Sequence, residues 1–587
     1  MERNNKELAA IFHDMATIYH YQGSEDRFRV LAYEKASRVI GNMQEDITDY
    51  AKSGTLKEIS GIGEGISEKI EEYLRTGKIS KYEDLKREVP HNIMEMMEIT
   101  GFGPQSLKRI HSELNIDNKE DLIKALQDGS VAHMKGFGQK KVEKMLRGLK
   151  LHKTVEEKML LWNALEIGED IVAQLKQLPE VKQVELAGSL RRKKETIGDI
   201  DILVSCAEKS RKKIVDFFTG AGLAKRVLAK GDTKASIIQR SSGKQVDLRL
   251  VNENDWGSAL QYFTGSKEHN VHLRTIARDK GYKISEYGIF TIKNEKRIAG
   301  KTEDEIYKTL GFQVMPPEMR EDSGEIELSA KGKIPKLVSL NDIRGDLHMH
   351  TTWSDGARTI EEIARYVLKN LPYEYIAITD HSKSTRVAGG MDDKQVLKQL
   401  KEIDRVNKKL GANFIKKGIE VDILPDGKLD LSDETLSQLD WVTASIHSNF
   451  KSDNTDRIIK ACNNPYVSCI GHPTGRLIGS REPYTVNMEK VFEAAKLTGT
   501  ALEINSQPQR MDLNDELARA AREKGIKLVI TTDSHDTGQF DYMKLGISIA
   551  RRAWCNTDDI LNTRSWSEIE KLFRKKRQLN KTYSSAG

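Results

Sequence analysis

Two carboxylates separated by one residue, Asp199 and Asp201, lie in the apolar stretch GDIDILVS. In a β-strand, side chains two positions apart point to the same face, so this stretch predicts two adjacent carboxylates. Asp247, in the strand-like stretch QVDLRLV, is a third candidate for that face. Adjacent carboxylates repel unless a cation lies between them, and Mg²⁺ prefers oxygen ligands. The pattern predicts a metal site for an in-line phosphoryl transfer.

A glycine-serine turn precedes these carboxylates by about ten residues. Gly188 and Ser189 are followed by Arg191 and Arg192. Backbone N–H groups in such a turn, together with guanidinium groups, are suited to a triphosphate. An isolated Asp-x-Asp is more often a solvated pair at a sheet edge, but the turn and its arginines favour a nucleotide site.

The C-terminal half carries a second set of metal-binding residue types, most of them at the ends of short apolar stretches. α/β barrels place their chemistry at the carboxyl ends of their strands. Imidazole and carboxylate ligands together suit Zn²⁺ or Mn²⁺. The candidates are His348, His350, Asp355, His381, Glu420, His447, His472, Asp533 and His535. Arg476, in GHPTGR, is a candidate contact to a substrate phosphate or a surface charge.

Three short glycine motifs occur in the first 150 residues: SGIGEGISEKI, TGFGPQSLKRI and KGFGQKKVEKM. Each is followed by a basic stretch with helical periodicity. One copy could equally be the end of a helix, but three copies favour binding of the DNA backbone without sequence preference. The candidate DNA-binding glycines are Gly61, Gly63, Gly101, Gly103, Gly136 and Gly138.

Length and composition exclude several classes of protein. The 587 residues predict about four domains. The 94 Lys and Arg residues against 88 Asp and Glu residues leave a net charge of +6, too small to identify a partner. No apolar run is long enough for a membrane helix, the N-terminus lacks a signal-peptide core, and none of the four cysteines forms a CxxC pair. We expect a cytoplasmic monomer that does not bind membranes.

The ordered series GSLRR, GDIDIL, VDLRL and YFTGSKEHNVHLRTIARDKGYKISEYG resembles the family X DNA polymerases, the group that includes DNA polymerase beta. The resemblance implies that Asp199, Asp201 and Asp247 are the catalytic ligands of Mg²⁺ or Mn²⁺. It also implies a site for the incoming dNTP and the nascent base pair. This site would be formed by Gly188, Ser189, Arg192, Gly198, Tyr262, Phe263, Gly265, Asn270 and Arg274.

The N-terminal region is similar to the small lyase domain of the same family. Lys69, in SEKIEEYL, aligns with its Schiff-base lysine, which implies a lyase activity. Phe28 and Gly65 stand where the beta enzyme has basic or imidazole groups. We therefore expect a weakened 5′-phosphate pocket.

The motifs DLHMHTTWSDG, ITDHS, GIEVDI, SIHSN, GHPTGR and TDSH resemble the polymerase and histidinol phosphatase (PHP) domain. The resemblance implies that the nine histidine, aspartate and glutamate candidates bind up to three Mn²⁺ or Zn²⁺ ions. It also implies a distorted (β/α)₇ barrel that hydrolyses phosphoesters. None of the nine ligand positions is lost, which favours an active site.

The order of these parts resembles bacterial and archaeal family X polymerases with a fused PHP domain. It implies a DNA repair polymerase that fills short gaps in base excision repair, using dNTPs and gapped or primer-template DNA. The PHP domain would act as a 3′–5′ exonuclease or an abasic-site endonuclease. We expect a lyase-like helical domain (1–90), a helix-hairpin-helix segment (91–150), a nucleotidyltransferase palm (151–255), a nucleotide-binding subdomain (256–315), a linker (316–338) and a PHP domain (339–575).

Two other functions remain open. A non-templated nucleotidyltransferase would also carry the glycine-serine turn and the paired aspartates, although the segment from YFTGS to Arg274 and the glycine motifs argue against it. A DNA-binding scaffold with a small-molecule phosphatase attached is the second. Extension that ignores the template would support the first, and faster hydrolysis of a small phosphomonoester than of DNA would support the second.

Overall fold

The computed structural model describes residues 3–23, 27–43, 46–59, 61–89, 96–97, 102–116, 118–146, 149 and 158–584. Within these ranges the chain forms helices first, then a mixed sheet, then a small antiparallel sheet and finally a parallel barrel. Among the residues so described, none of the helices combines the length and the apolarity that crossing a bilayer requires.

The N-terminal region is helical and has a hydrophobic core of its own. Tyr19, Tyr33 and Phe12 stack in this core, with ring centroids 5.8 and 6.0 Å apart. Its helices are α1 (Arg3–Gln22), α2 (Arg27–Asn42), α3 (Ile47–Ser53), α4 (Glu64–Thr76), α5 (Ser80–Arg87), α6 (Pro104–Leu114) and α7 (Lys119–Gln127).

A five-stranded sheet with strand order β2-β4-β7-β6-β5 follows, and two of its interior strands, β4 and β7, are parallel. The apolar side chains of these strands pack against flanking helices. The elements are β1 (Met159–Leu160), α8 (Leu161–Lys176), β2 (Gln183–Leu186), α9 (Gly188–Arg191), β3 (Thr196–Ile197), β4 (Ile200–Ser205), α10 (Arg211–Phe218), β5 (Ala224–Lys230), β6 (Lys234–Gln239) and β7 (Gln245–Val251).

The next unit is a pair of helices followed by a three-stranded antiparallel sheet. Its elements are α11 (Trp256–Thr264), α12 (Lys267–Asp279), β8 (Tyr282–Ser285), β9 (Gly288–Thr291), β10 (Arg297–Ala299), α13 (Glu303–Thr309) and α14 (Glu325–Ala330).

The segment that the sequence predicts to be a linker is closely packed. Arg320 is fully buried and its guanidinium lies 2.5 Å from Glu303. Met319 and Leu337 are buried against Trp554. The connection between the sheet units and the barrel is therefore a folded part of the structure.

Seven parallel strands, hydrogen-bonded in chain order, form the C-terminal unit. A parallel bridge from Met349 to Ser534 connects the first side of this sheet with the last, which nearly closes the barrel. The predicted seven-stranded α/β barrel is confirmed. The strands are β11 (Gly345–Asp346), β12 (Tyr375–Ile378), β13 (Ile415–Asp422), β14 (Trp441–Ser445), β15 (Cys469–Ile470), β16 (Ala501–Asn505) and β17 (Leu528–Thr531).

Helices alternate with these strands and pack outside them, as in other parallel barrels. They are α15 (Ile360–Asn370), α16 (Asp393–Leu410), α17 (Asp433–Leu436), α18 (Thr455–Asn463), α19 (Met488–Thr498), α20 (Asp515–Glu523), α21 (Met543–Arg552) and α22 (Trp566–Ser584). Short 3₁₀ turns lie at Leu56–Glu58, Glu208–Ser210, Glu253–Asp255, Pro317–Met319, Leu340–Asp342, Arg386–Ala388, Thr537–Tyr542 and Leu561–Thr563.

Candidate metal centres and nucleotide site

The three aspartates of the mixed sheet come together at one end of its central strands. Asp201 in β4 and Asp247 in β7 are direct neighbours in the parallel register. Asp199 was predicted to lie on the same strand, but β4 begins at Ile200, so Asp199 immediately precedes it. Each aspartate offers one oxygen to a group whose atoms all lie within 4.8 Å of one another.

The crowding of these carboxylates affects the protonation of Asp201. Burial and the charges of Asp199 and Asp247 raise the pKa of Asp201 to about 7, although Arg249 and Arg192 oppose the shift. A divalent cation would favour the ionised form and offset the repulsion. The all-oxygen donor set fits Mg²⁺ or Mn²⁺.

The glycine-serine turn lies directly against this carboxylate group. Gly188 has a φ of 58°, and a Cβ at this position would lie 2.1 Å from Asp201 Oδ2. A glycine is therefore required for the turn to approach the aspartates. Ser189 and Gly198 both line a neighbouring cleft of about 670 Å³.

The remaining predicted nucleotide-site residues form a hydrogen-bonded group at the junction of α11 and α12. Asn270 donates to the carbonyl of Tyr262 over 2.7 Å and accepts a bond from Gln261, also over 2.7 Å. Arg274 donates to the Asn270 carbonyl over 3.3 Å. Phe263 contacts Tyr262 edge to face, with ring centroids 5.2 Å apart.

Gly265 joins this group to the turn. A Cβ on Gly265 would lie 3.1 Å from an Nη1 atom of Arg192, and the same Nη1 donates to the Thr264 carbonyl over 2.6 Å. Gln261 was not predicted from the sequence, because a buried glutamine in a helix carries no motif of its own. The structure places the predicted nucleotide-site residues around the turn and the helix junction.

All nine predicted ligands of the barrel converge at the carboxyl ends of its strands. Three overlapping groups have ligand atoms within 4.8 Å: His350, Asp355, His381 and His535; His348, His350 and Asp533; and His381, Glu420 and His447. The ninth residue, His472, has its Nε2 3.0 Å from Glu420 Oε1.

The chemistry of this cluster fits metal ions. His348 Nε2, His350 Nδ1 and Glu420 Oε2 are buried without a hydrogen-bond partner, which is costly unless they bind a cation. Burial favours a higher pKa for Glu420, but the imidazoles of His447, His381 and His348 outweigh it and hold that pKa well below its usual range. The mixed donor set suits Mn²⁺ or Zn²⁺.

A carboxylate outside the nine orients one of the histidines. Glu503, buried in β16, lies 2.6 Å from His348 Nδ1 and accepts a bond from Thr531 over 2.6 Å. A carboxylate on the far nitrogen of a metal-binding histidine fixes its tautomer and increases its basicity. The sequence offered one signal for this role, a glutamate between the apolar residues Leu502 and Ile504 of the strand ALEIN.

Arginines from distant parts of the chain surround the mouth of the cluster. Arg510 Nε lies 3.6 Å from Asp533, and Arg38 of α2 lies 3.7 Å from Asp355. Both line the pocket formed by the ligands. Arg476, the phosphate contact suggested by the sequence, instead pairs with Glu195 of the mixed-sheet unit over 2.6 Å.

Lys69 lies on α4, beside the aromatic core of the helical region. Its Nζ donates to the Gly65 carbonyl over 2.8 Å and lies 5.9 Å from the ring centroid of Tyr33. Burial and the charge of Tyr19 raise the pKa of Tyr33 to about 12, although Arg29 opposes the shift. These contacts hold the amine next to an aromatic wall, and its lyase role stays a prediction.

The glycine motifs lie at exposed helix starts. Gly63 and Gly103 are the N-cap residues of α4 and α6, and neither helix has a side-chain cap bond. Gly61 and Gly136 adopt positive φ values of 100° and 83°. Gly138 is exposed, with open space where a Cβ would stand. The sixth glycine, at position 101, lies outside the described residues.

Family models match the first part of the chain. A helix-hairpin-helix domain matches residues 3–79, and a tandem helix-hairpin-helix matches 53–117 and 94–151. The DNA polymerase beta palm matches 163–247 and the DNA polymerase beta thumb matches 259–321. The predicted helix-hairpin-helix region and palm are thereby confirmed.

A relative in Bacillus subtilis, named DNA polymerase/3′-5′ exonuclease PolX, is 36% identical over 578 residues, which cover 97% of this chain and all of that protein. The chain belongs to the PolX branch of the family X DNA polymerases. Two further relatives match a part of the chain. A probable phosphatase of Thermoanaerobacter sp. strain X514 is 34% identical over 251 residues, 40% of this chain and 96% of that protein. A probable phosphatase of Caldanaerobacter subterraneus is 32% identical over 213 residues, 33% of this chain and 79% of that protein.

Replacing Glu503 with Gln should weaken the metal affinity of the barrel about 10- to 100-fold, because His348 loses the carboxylate that orients it. Calorimetric titration of the metal-free protein with Mn²⁺ measures this change. Glu482→Gln, at an exposed position, is the matched control. Equal affinities for the Glu503 variant and the control would contradict the role of Glu503.

Replacing Asp201 with Asn should stabilise the metal-free protein at pH 8 by about 1–2 kcal/mol, since the variant no longer ionises a buried, crowded carboxyl. Folding raises the pKa of Asp201 from 3.8 to about 7, so the folded state holds the Asp201 proton more tightly than the unfolded chain does. The stability that this proton gives below pH 3.8 is lost as the pH rises to about 7. The advantage of the variant should therefore shrink towards pH 4.

Thermal unfolding of the wild type and of Asp201→Asn, first in a chelator and then in Mg²⁺, measures this difference in stability. Mg²⁺ should stabilise the wild type more than the variant, while Asp232→Asn, at an exposed position, should match the wild type throughout. A variant that is less stable than the wild type in chelator at pH 8 would show that carboxylate repulsion is not the dominant effect.

Proposed function

We propose that this chain is a DNA-directed DNA polymerase that fills short gaps in base excision repair, and that its barrel is a metal-dependent 3′–5′ exonuclease. The observation that carries the proposal is the presence of two separate ligand clusters in one chain, 97% of which matches a relative named as a polymerase/exonuclease. Its substrates are dNTPs and gapped or primer-template DNA. We propose that it acts as a monomer in the cytoplasm, with the six-part domain division predicted from the sequence.

In the polymerase reaction, Asp199, Asp201 and Asp247 hold Mg²⁺ or Mn²⁺. When bound, these ions neutralise charge on the triphosphate and favour ionisation of the primer 3′-hydroxyl. Asp247 lies nearest that hydroxyl and orients it. Ser189 and Arg192 bind the triphosphate. The 3′-oxygen attacks the α-phosphorus in line and bonds to it, and the β- and γ-phosphates leave as pyrophosphate.

The helix junction selects and positions the nucleotide. Tyr262, Phe263 and Gly265 line the sugar pocket and exclude a 2′-hydroxyl. Asn270, whose amide is held by Tyr262 and Gln261, contacts the nascent base pair. Arg274 contacts the template strand. These bonds fix the side chains before the nucleotide arrives, which reduces the ordering cost of the reaction.

In the barrel, the nine ligands hold up to three Mn²⁺ or Zn²⁺ ions. Such ions lower the pKa of a bound water and stabilise charge on the phosphoryl oxygens. Arg510 and Arg38, at the mouth of the cluster, provide positive charge for the DNA phosphates. The same chemistry would cleave DNA at an abasic site, so we propose an abasic-site endonuclease activity as a second use of this centre.

The helical region binds DNA through its glycine motifs, where exposed N–H groups at helix starts meet backbone phosphates. Lys69 is the proposed Schiff-base residue of a lyase activity. The binding of DNA phosphates by the glycine motifs depends on charge and is weakened by salt.

A phosphatase function of the barrel is the second candidate, because 40% of the chain matches relatives named as probable phosphatases over 96% of their length. Hydrolysis of a small phosphomonoester distinguishes the two. Rates on 4-nitrophenyl phosphate that greatly exceed those on single-stranded DNA would favour the phosphatase.

The two activities should be separable by mutation. Asp199→Ala with Asp201→Ala should abolish extension on a one-nucleotide gap, a loss of at least about 1000-fold, and leave nuclease activity within twofold. His348→Ala with His350→Ala should do the reverse. Product lengths with and without dNTPs, in Mg²⁺ and in Mn²⁺, report both activities.

Asp232→Ala and His20→Ala, at exposed positions, are the matched controls. If either pair of substitutions abolished both activities in a folded protein, the two centres would not be independent.

A further inference from the structure

Arg552, at the end of helix α21 of the barrel, reaches the mixed-sheet unit. It is 9% exposed, and its Nη1 donates to Glu321 Oε1 over 2.9 Å and to the backbone carbonyl of Arg192 over 2.8 Å. The other side of its guanidinium pairs with Asp515 of the barrel over 2.7 Å. The bond to Asp515 anchors the arginine in the barrel while Nη1 contacts the turn that carries Arg192.

Glu321 is shared by three cations. Its Oε1 accepts from Arg192 Nε over 3.1 Å and from Arg552, and its Oε2 lies 3.4 Å from Lys194 Nζ. Burial favours a higher pKa for Glu321, but Arg192, Arg552 and Lys194 outweigh it and lower that pKa. Glu321 is therefore a fixed negative charge directly beside Arg192.

This charge competes with a triphosphate. Arg192 is 12% exposed at its side chain and already donates to the Thr264 carbonyl and to Glu321. A phosphate that approaches the guanidinium competes with Glu321 for its positive charge and for its Nε–H donor. Arg552 and Lys194 neutralise part of the negative charge of Glu321, and Glu321 therefore attracts the guanidinium of Arg192 less strongly.

The cleft of about 670 Å³ brings these groups together. Its lining includes Ser189 and Gly198 of the mixed-sheet unit, Glu321 of the connecting segment, and Asp515 and Arg552 of the barrel. A phosphate chain that contacts Ser189 therefore lies in a space partly walled by the barrel.

The pair of Arg476 with Glu195 also joins the two units along this cleft, because Glu195 lines it as well. The barrel thus contacts the residues around the turn through Arg476 as well as through Arg552, and Arg552 is bonded to Arg192 itself.

We propose that Arg552 is a positioning residue of the nucleotide site: it engages Glu321 and the Arg192 carbonyl, and thereby keeps the Arg192 side chain available to the incoming triphosphate. The proposal rests on the proposed polymerase function. It assigns the barrel a role in nucleotide binding that is separate from its own metal cluster.

The test measures steady-state kinetics of the full-length protein on one-nucleotide gapped DNA. Arg552→Gln should raise the KM for the dNTP about tenfold, with kcat within about twofold, because Glu321 then pairs more tightly with Arg192. Adding Glu321→Gln to that variant should return KM to within about twofold of the wild type. Nuclease activity on single-stranded DNA should be unchanged in both variants.

Arg522→Gln is the matched control, since Arg522 forms a barrel ion pair with Asp559, away from the turn. It should leave KM unchanged. A second readout is the affinity for the dNTP when the gapped DNA carries a dideoxy-terminated primer. This affinity should fall with KM in Arg552→Gln and recover in the double variant.

An unchanged KM in folded Arg552→Gln, or a raised KM that Glu321→Gln does not restore, would overturn the proposal. If Arg552→Gln does not fold, Arg552→Lys replaces it, with an expected KM increase of about threefold that Glu321→Gln reverses; no increase there would also overturn it. A wild-type protein that does not extend the primer according to the template would instead refute the polymerase function itself.

Discussion

The central constraint on this molecule is the burial of ionisable ligands at the ends of parallel strands. In the barrel, nine imidazole and carboxylate side chains lie in overlapping groups with atoms within 4.8 Å, most of them screened from water. In the mixed sheet, three carboxylates are equally close. Burial of such groups among apolar side chains is energetically costly, and bound cations offset both this cost and the repulsion between the carboxylates. The strand register and the turns that follow the strands place these ligands next to one another.

The units that carry the two centres are in contact with each other. The barrel contacts the glycine-serine turn region through Arg552, and the loop after β15 contacts it through Arg476. Helix α2 of the helical region places Arg38 at the mouth of the barrel cluster. A DNA-binding region, a nucleotide site and a hydrolytic centre are therefore in direct contact, which fits a protein that extends and trims the same DNA end.

Much of both sites follows from local sequence. The i, i+2 spacing of Asp199 and Asp201 predicted adjacent carboxylates, and their meeting with Asp247 required only that two strands pair. The histidines of the barrel were predictable because each follows a short apolar strand, and the carboxyl ends of parallel strands meet at one rim. The prediction that Asp199 lies on the strand was wrong, since β4 begins at Ile200. The sequence GDID does not indicate at which residue the strand pairing begins.

Contacts between distant segments could not be predicted. Arg38 and Asp355 are separated by more than half of the chain, and the sequence around neither residue indicates that the other is its partner. Arg552 and Glu321 are also far apart in the chain. So are Arg476 and Glu195, and the position of Arg476 beside a ligand motif suggested a phosphate contact instead. Such pairs depend on how whole units pack, which periodicity and spacing do not encode.

Anomalous diffraction from crystals grown with Mn²⁺ tests the account most directly, because it locates the ions themselves. With gapped DNA and a non-hydrolysable dNTP analogue, the account predicts peaks within the nine-ligand cluster of the barrel and separate peaks between Asp199, Asp201 and Asp247. Full occupancy at the aspartates with no peak among the nine barrel ligands, or the reverse, would contradict the claim that this chain holds two metal centres.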